Sequence, residues 1–96
     1  MPTYSYNYRA YKDPDAVLDF KMDWTAALSA VSDTIVSSQW LADSGITIDS
    51  QTNDSTTATV WLSGGTAGIS YAVTNRIVTA AGRTDDRTIL VTAVER

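Results

Sequence analysis

The side chains able to do chemistry in this sequence are carboxylates, lysine, arginine and tyrosine, because it contains neither histidine nor cysteine. Without histidine there is no general base poised near neutral pH, and the commonest metal ligand is missing. Without cysteine, thiol nucleophiles, thiolate zinc sites and disulfides are excluded. Hydrolysis would need two carboxylates facing each other across a cleft, and no spacing in the chain suggests such a pair. Asp13 and Asp15 flank Pro14, yet no further acidic residue at loop spacing completes the oxygen cage that calcium takes. The expectation is therefore a protein that is not an enzyme, with no catalytic residue, no metal and no cofactor.

Other local patterns are weaker still. The run Gly64-Gly65-Thr66-Ala67-Gly68 is rich enough in glycine to suggest a phosphate loop, but it lacks the Lys-Ser/Thr ending and strands follow it. Asn53-Asp54-Ser55 matches a glycosylation sequon, and with no secretory leader at the start it reads as chance. The segment Gly82 to Arg87 reads as a charged hairpin in which Arg83 and Arg87 pair with Asp85 and Asp86. Its alternatives are a solvated tip and a docking point at Arg83.

Aromatic residues offer binding instead of catalysis. Tyr4, Tyr6 and Tyr8 alternate with Ser5 and Asn7, and Tyr11 follows, so an extended arm would project three rings on one side. Such an arm could add itself as a strand to another subunit, or pack as the first strand of its own domain. Trp61 lies on the face opposite Ala58, Val60 and Leu62. It is either an outward contact residue or is turned in by a register slip. Tyr4, Tyr6, Tyr8, Tyr11, Trp61 and Arg83 are the candidate partner-binding residues.

These side chains must be held by strands. The composition favours Thr, Ser, Val and Ile over Leu, Glu and Lys, and β-branched chains suit a pleated backbone. Period-two alternation appears over residues 17–24, with Leu18, Phe20, Met22 and Trp24 on one face. It recurs over 34–42, where Val36, Ser38, Trp40 and Ala42 share a face with Trp40 as the core anchor. Ile46 and Ile48 mark a shorter strand after the turn residues Asp43-Ser44-Gly45, and residues 51–56 read as a polar loop. Ala58, Val60 and Leu62 head the next strand. Residues 69–80 follow, with Tyr71, Val73, Ile77 and Thr79 on one face. Ala81-Gly82 forms a hairpin tip, and residues 87–94 make the last strand. Residues 25–32 read as a loop with at most one helical turn. Tyr71, starting a long strand just after Gly68, resembles a tyrosine corner, in which the phenol bonds back to upstream backbone.

About seven short strands in a chain of 96 residues predict one all-β domain, an immunoglobulin-like antiparallel β-sandwich with a small barrel as the alternative. The division expected is an extended N-terminal arm over 1–14 and the sandwich over 15–96, with Lys12-Asp13-Pro14-Asp15 as the turn or hinge between them. The formal charge of −4 disfavours phosphate backbones and anionic lipid, so neither nucleic acid nor membrane is an expected partner. No apolar stretch approaches the roughly 20 residues that span a bilayer, and the chain reads as soluble and unsecreted.

Taken in order, several runs carry a resemblance. They are residues 12–20 (KDPDAVLDF), Asp23-Trp24, Asp33-Thr34-Ile35 with Trp40, residues 58–65 (ATVWLSGG), Tyr71-Ala72-Val73, residues 79–85 (TAAGRTD) and the terminal Val94-Glu95-Arg96. Together they resemble a set of small tailed-bacteriophage virion proteins described as fiber-tail adaptor proteins. The arm up to Tyr11 has no counterpart in that pattern. The resemblance implies an immunoglobulin-like domain without enzymatic activity, placed at the neck, tail or capsid surface. Its partners would be other virion proteins in a symmetric multi-copy assembly, put together in the host cytoplasm. A capsid decoration or cement protein is the alternative. A carbohydrate-binding module, with Trp61 and the tyrosines as a stacking platform, is a further one.

Overall fold

The computed structural model describes residues 8–95, which form seven strands and one short helix. In chain order these are β1 (Tyr8–Lys12), β2 (Leu18–Asp23), α1 (Thr25–Ser29), β3 (Ile35–Ala42), β4 (Ile46–Asn53), β5 (Thr57–Gly64), β6 (Ser70–Thr79) and β7 (Thr84–Ala93). The chain is all-β, and the strands form two sheets, β1-β7-β6-β3 and β2-β5-β4. This order is consistent with the immunoglobulin-like arrangement, in which the second, fifth and fourth strands face a sheet built from the seventh, sixth and third.

One pair departs from the antiparallel expectation. β1 lies parallel to β7, with Tyr8 opposite Ile89 and Lys12 opposite Ala93. No hairpin joins the two ends of the chain, and the tight turn after Lys12 carries the backbone into the other sheet instead of back along the same one. That turn is closed by the Ala16 amide donating to the Asp13 carbonyl at 3.0 Å, and by the Asp15 amide donating to Asp13 Oδ1 at 2.9 Å. The stretch 8–12 of the expected arm is thus a strand of the sandwich. Tyr4 and Tyr6 lie outside the described residues.

The core sits where alternation was strongest. Ala58, Val60 and Leu62 of β5 are fully buried, and so are Val73 and Val91 on the facing sheet. Burying each of the larger aliphatic chains contributes about 1.5–3 kcal/mol. Trp40 is buried as the anchor of β3. Elsewhere bulges shift the phase. Pairing slips between Ile35 and Ser37, so Ile35 turns inward together with Trp40, and Val36, expected inside, is 61% exposed. An extra residue in one strand reverses the side on which its neighbours emerge. A second irregularity lies between Ile48 and Ser50. Beyond it β4 runs to Asn53 where a polar loop was expected. As an edge strand it needs no apolar alternation to pair with β5. Leu18 lies in the inward row of β2 but is exposed, because β2 too is an edge.

The buried Trp40 indole N–H has no hydrogen-bond partner among the described residues, whereas Asn75, Trp24 and Arg87 are tied to specific partners. Asn75, fully buried on the core face of β6, accepts from Trp24 Nε1 at 2.8 Å and donates to Ser38 Oγ at 2.9 Å and the Gln39 carbonyl at 3.2 Å. The guanidinium of Arg87 lies 4.1 Å over the Trp24 ring. The residue after β2 is thereby clamped between the two sheets by one amide and one cation.

Candidate interaction surfaces

The tyrosine corner expected from the sequence is present. The Thr66 amide donates to the Tyr71 phenol oxygen at 2.8 Å. Two glycines accommodate the ring. A Cβ on Gly45 would lie 2.8 Å from Tyr71 Cε1, and one on Gly65 would lie 3.5 Å from Cε2. Both glycines have positive φ, 106° and 100°, so small size and left-handed backbone are required together. The Gly65 amide donates to the Gly45 carbonyl at 3.1 Å and the Gly68 amide to the Ala93 carbonyl at 2.8 Å. The amides of Gly65, Thr66 and Gly68 in the glycine loop are therefore already engaged.

Lys12, expected in a polar turn, is instead the last residue of β1 and is fully buried. Its ammonium donates to the carbonyls of Asp13 and Gly64, each at 2.8 Å. It ties the first strand to the end of β5 in the other sheet, where an ion with fixed acceptors tolerates burial.

At the opposite end the partner of Arg83 is not Asp85 or Asp86 but Asp33, at 2.8 Å. Asp86 pairs with Arg76 on the adjacent strand, also at 2.8 Å, and Arg87 points inward to Trp24. Strand pairing explains the difference. Asp86 stands directly opposite Arg76 in the β6–β7 register, and cross-strand neighbours are closer than residues within one hairpin arm. Asp33, only 2% exposed at its side chain, also accepts from the Thr34 amide at 2.9 Å and the Ala81 amide at 3.1 Å. The hydroxyl of Thr79, then the amides and Arg83, hold its carboxyl down from the ordinary 3.8 to about 2, against the opposing effect of burial.

The remaining candidates are spread over separate faces. Trp61 is 41% exposed on the outer side of β5, opposite Asp19 of β2 and Ser50 of β4. The outward reading of its register holds. Tyr11 is 56% exposed on the other sheet, opposite Thr92. Tyr8 belongs to the same row as Ala10 and Lys12 and lies 6.0 Å from Arg87. Among the described residues Trp61 has no tyrosine on its sheet, so these residues do not assemble the stacking platform of a carbohydrate module. Nor is there any group of three or more acidic side chains among them placed to hold a metal ion. Lys12, Asn75 and Arg87 were missed as architectural residues. The only hint in the sequence was a lone polar residue within an otherwise apolar row, as at Asn75 between Val73 and Ile77.

Such an arrangement defines a scaffold class: a small β-sandwich whose two ends are tied off internally and whose unengaged aromatics point outward from opposite sheets. The comparison with known families is more specific. The chain matches the family described as podophage GP4 fiber-tail adaptor protein gp77 over residues 12–92, and it belongs to that family. No curated protein matches the chain.

Proposed function

We propose that this chain is a non-enzymatic structural protein of a tailed-phage virion, an adaptor that joins fibre, tail or neck components through protein contacts. Membership in the fiber-tail adaptor family supports the role. The observation that carries the two-sided reading is the placement of Tyr11 and Trp61 on the outer faces of different sheets. A body with one aromatic anchor on each side can hold two different neighbours at once, and aromatic residues are the usual energetic centres of interfaces. Arg83, exposed at the hairpin turn while held by Asp33, offers a third contact to an acidic partner. The chain then resides in the virion after assembly in the host cytoplasm, in several symmetric copies.

The test is phage carrying Trp61→Ala or Tyr11→Ala. Each substitution removes an exposed ring, so the isolated domain should keep its stability to within about 0.5 kcal/mol. Purified particles should lose this protein or the component joined through it. Wild-type particles that never contain the protein would overturn the proposal, and a copy number matching the major capsid protein would move it to capsid decoration.

A further inference from the structure

The two sheets differ in what they show on their outer sides. In the sheet β1-β7-β6-β3 the outward rows carry Leu41, Ala72, Val78 and Leu90, with Ala72 opposite Leu90 and Leu41 opposite Thr74. Leu41 is 41% exposed, and the other three are half-buried. The hydroxyls between them are taken up by one another: Ser70 Oγ and Thr92 Oγ1 lie 2.8 Å apart, and Thr74 Oγ1 and Thr88 Oγ1 2.9 Å. A hydroxyl bonded to its neighbour costs less to cover than one that relies on water. The charges are engaged as well. Asp86 is held by Arg76 through two bonds of 2.8 and 2.9 Å, and Asp43, just past β3, accepts from the Ala72 amide at 2.8 Å. Arg9, opposite Leu90 at the β1 rim, offsets Asp43. The outer side of the other sheet is acidic, with exposed Asp19, Asp23 and Asp49 against Lys21.

We propose that the outer face of β1-β7-β6-β3 is the contact surface for a second copy of this chain, giving a two-fold dimer. Charge selects the occupant. The chain carries a formal −4, so two copies repel except where charge is cancelled locally, and this face sets Arg9 and Arg76 against Asp43 and Asp86. A two-fold contact brings a patch onto itself. On the other sheet that would turn three aspartates toward three more, a disfavoured like-charge juxtaposition. A strongly basic or strongly acidic partner, in turn, gains little from a neutral face. The area is sufficient. Four strands about 4.8 Å apart, the longest of ten residues, cover roughly 20 Å by 30 Å. Two copies then bury about 1,200 Å² in total, the lower end of specific interfaces. Tyr11, opposite Thr92 at the rim, borders this contact, whereas Trp61 stays free for a component of different chemistry. The dimer is a property of the isolated chain, so it stands or falls separately from the adaptor reading.

Sedimentation equilibrium of the full chain from about 10 µM to about 1 mM should show a monomer–dimer equilibrium with a Kd of roughly 100 µM, the weak range that a small interface gives. Added salt should tighten it, because salt screens the repulsion between two acidic copies. Leu41→Lys puts an unpaired charge into the contact and should weaken the dimer roughly tenfold or more. Thr52→Lys, on the outer side of the other sheet, changes the net charge equally and should not weaken it. A monomer at every concentration, species larger than the dimer, loosening by salt, or equal effects of the two lysines would each overturn the proposal. Should Leu41→Lys disturb the edge strand β3, amide chemical shifts of the native chain keep the test. On dimerisation those of Thr74, Thr88 and Leu90 should move while those of Thr59 and Trp61 stay, and any other pattern would overturn the proposal.

Discussion

Replacing Asn75 by alanine tests whether the sandwich is held together through the buried amide of this residue. In the native fold Asn75 Oδ1 is the acceptor for the Trp24 indole N–H, and Nδ2 serves Ser38 and Gln39. Removing the amide strands the indole N–H in a site where both partners are almost wholly buried, a loss of about 1–3 kcal/mol. Ser38 is half-buried and Gln39 exposed, so water can replace their bonds and they add only about 0.5–1 kcal/mol. The small void left by the side chain brings the expected total to roughly 2–4 kcal/mol. For a domain of this size that lowers Tm by roughly 10–25 °C. Urea unfolding followed by tryptophan emission should show the midpoint falling by about 2 M with the slope unchanged. A double-mutant cycle with Trp24→Phe isolates the bond. In the phenylalanine background the cost of Asn75→Ala should shrink by about 1–2 kcal/mol, since no indole N–H remains to be stranded. A cost below about 1 kcal/mol for the single change, or a coupling of zero, would refute the idea that this amide joins the two sheets.

Other perturbations follow from the same geometry. Tyr71→Phe should cost about 1–2 kcal/mol by freeing the Thr66 amide, measured as a fall in Tm. Gly45→Ala should cost more, because its Cβ would meet the Tyr71 ring at 2.8 Å on a backbone with φ of 106°. Asp33 is held down to about 2 from 3.8, so its stabilising effect is complete above the higher value and is lost as pH falls through the lower one. Asp33→Asn should therefore flatten the acid limb of the stability curve between about pH 4 and about pH 2, and an unchanged limb would show that other carboxylates govern it.

How much of this could be read from the residues depends on the range of the interaction concerned. β5 and β6 alternate because each has one face in the core, and that pattern is local, so Ala58, Val60, Leu62, Tyr71, Val73 and Ile77 were legible. Tyr71 was legible as a corner because it starts a long strand just after Gly68, whereas Gly45 and Gly65, which make room for its ring, play no part in that reading. The bulges in β3 and β4 were not. Whether Ile35 or Val36 turns inward is decided by pairing with Thr79 and Val78, which local alternation cannot show. The parallel docking of β1, the Arg83–Asp33 pair and the burial of Lys12 depend on contacts between distant parts of the chain. An exposed-looking lysine beside a proline turn carries no local sign that two carbonyls await it. Trp61 was ambiguous for the converse reason: its outward position follows directly from the alternation, but only if no bulge intervenes, and β5 pairs with β2 without one.

The two buried charges at opposite ends explain why the outward side chains are free for other work. At one end the Lys12 ammonium gathers two carbonyls and joins β1 to the end of β5. At the other the Asp33 carboxylate gathers the Thr34 amide before β3 and the Ala81 amide of the β6–β7 turn, and takes Arg83 with them. Each is a charge-assisted set of bonds to backbone, stronger than neutral pairs and directional. Loops fixed in this way cannot easily rearrange, so the two sheets keep a constant relation to each other. Tyr11 and Trp61 take no part in either set, and their separation is therefore a property of the rigid frame. An adaptor needs that constancy more than it needs a deep pocket. On the proposed reading, two neighbours held on opposite faces would be aligned only as well as the body between them is stiff, and the polar groups fixed at its two ends tie that body together.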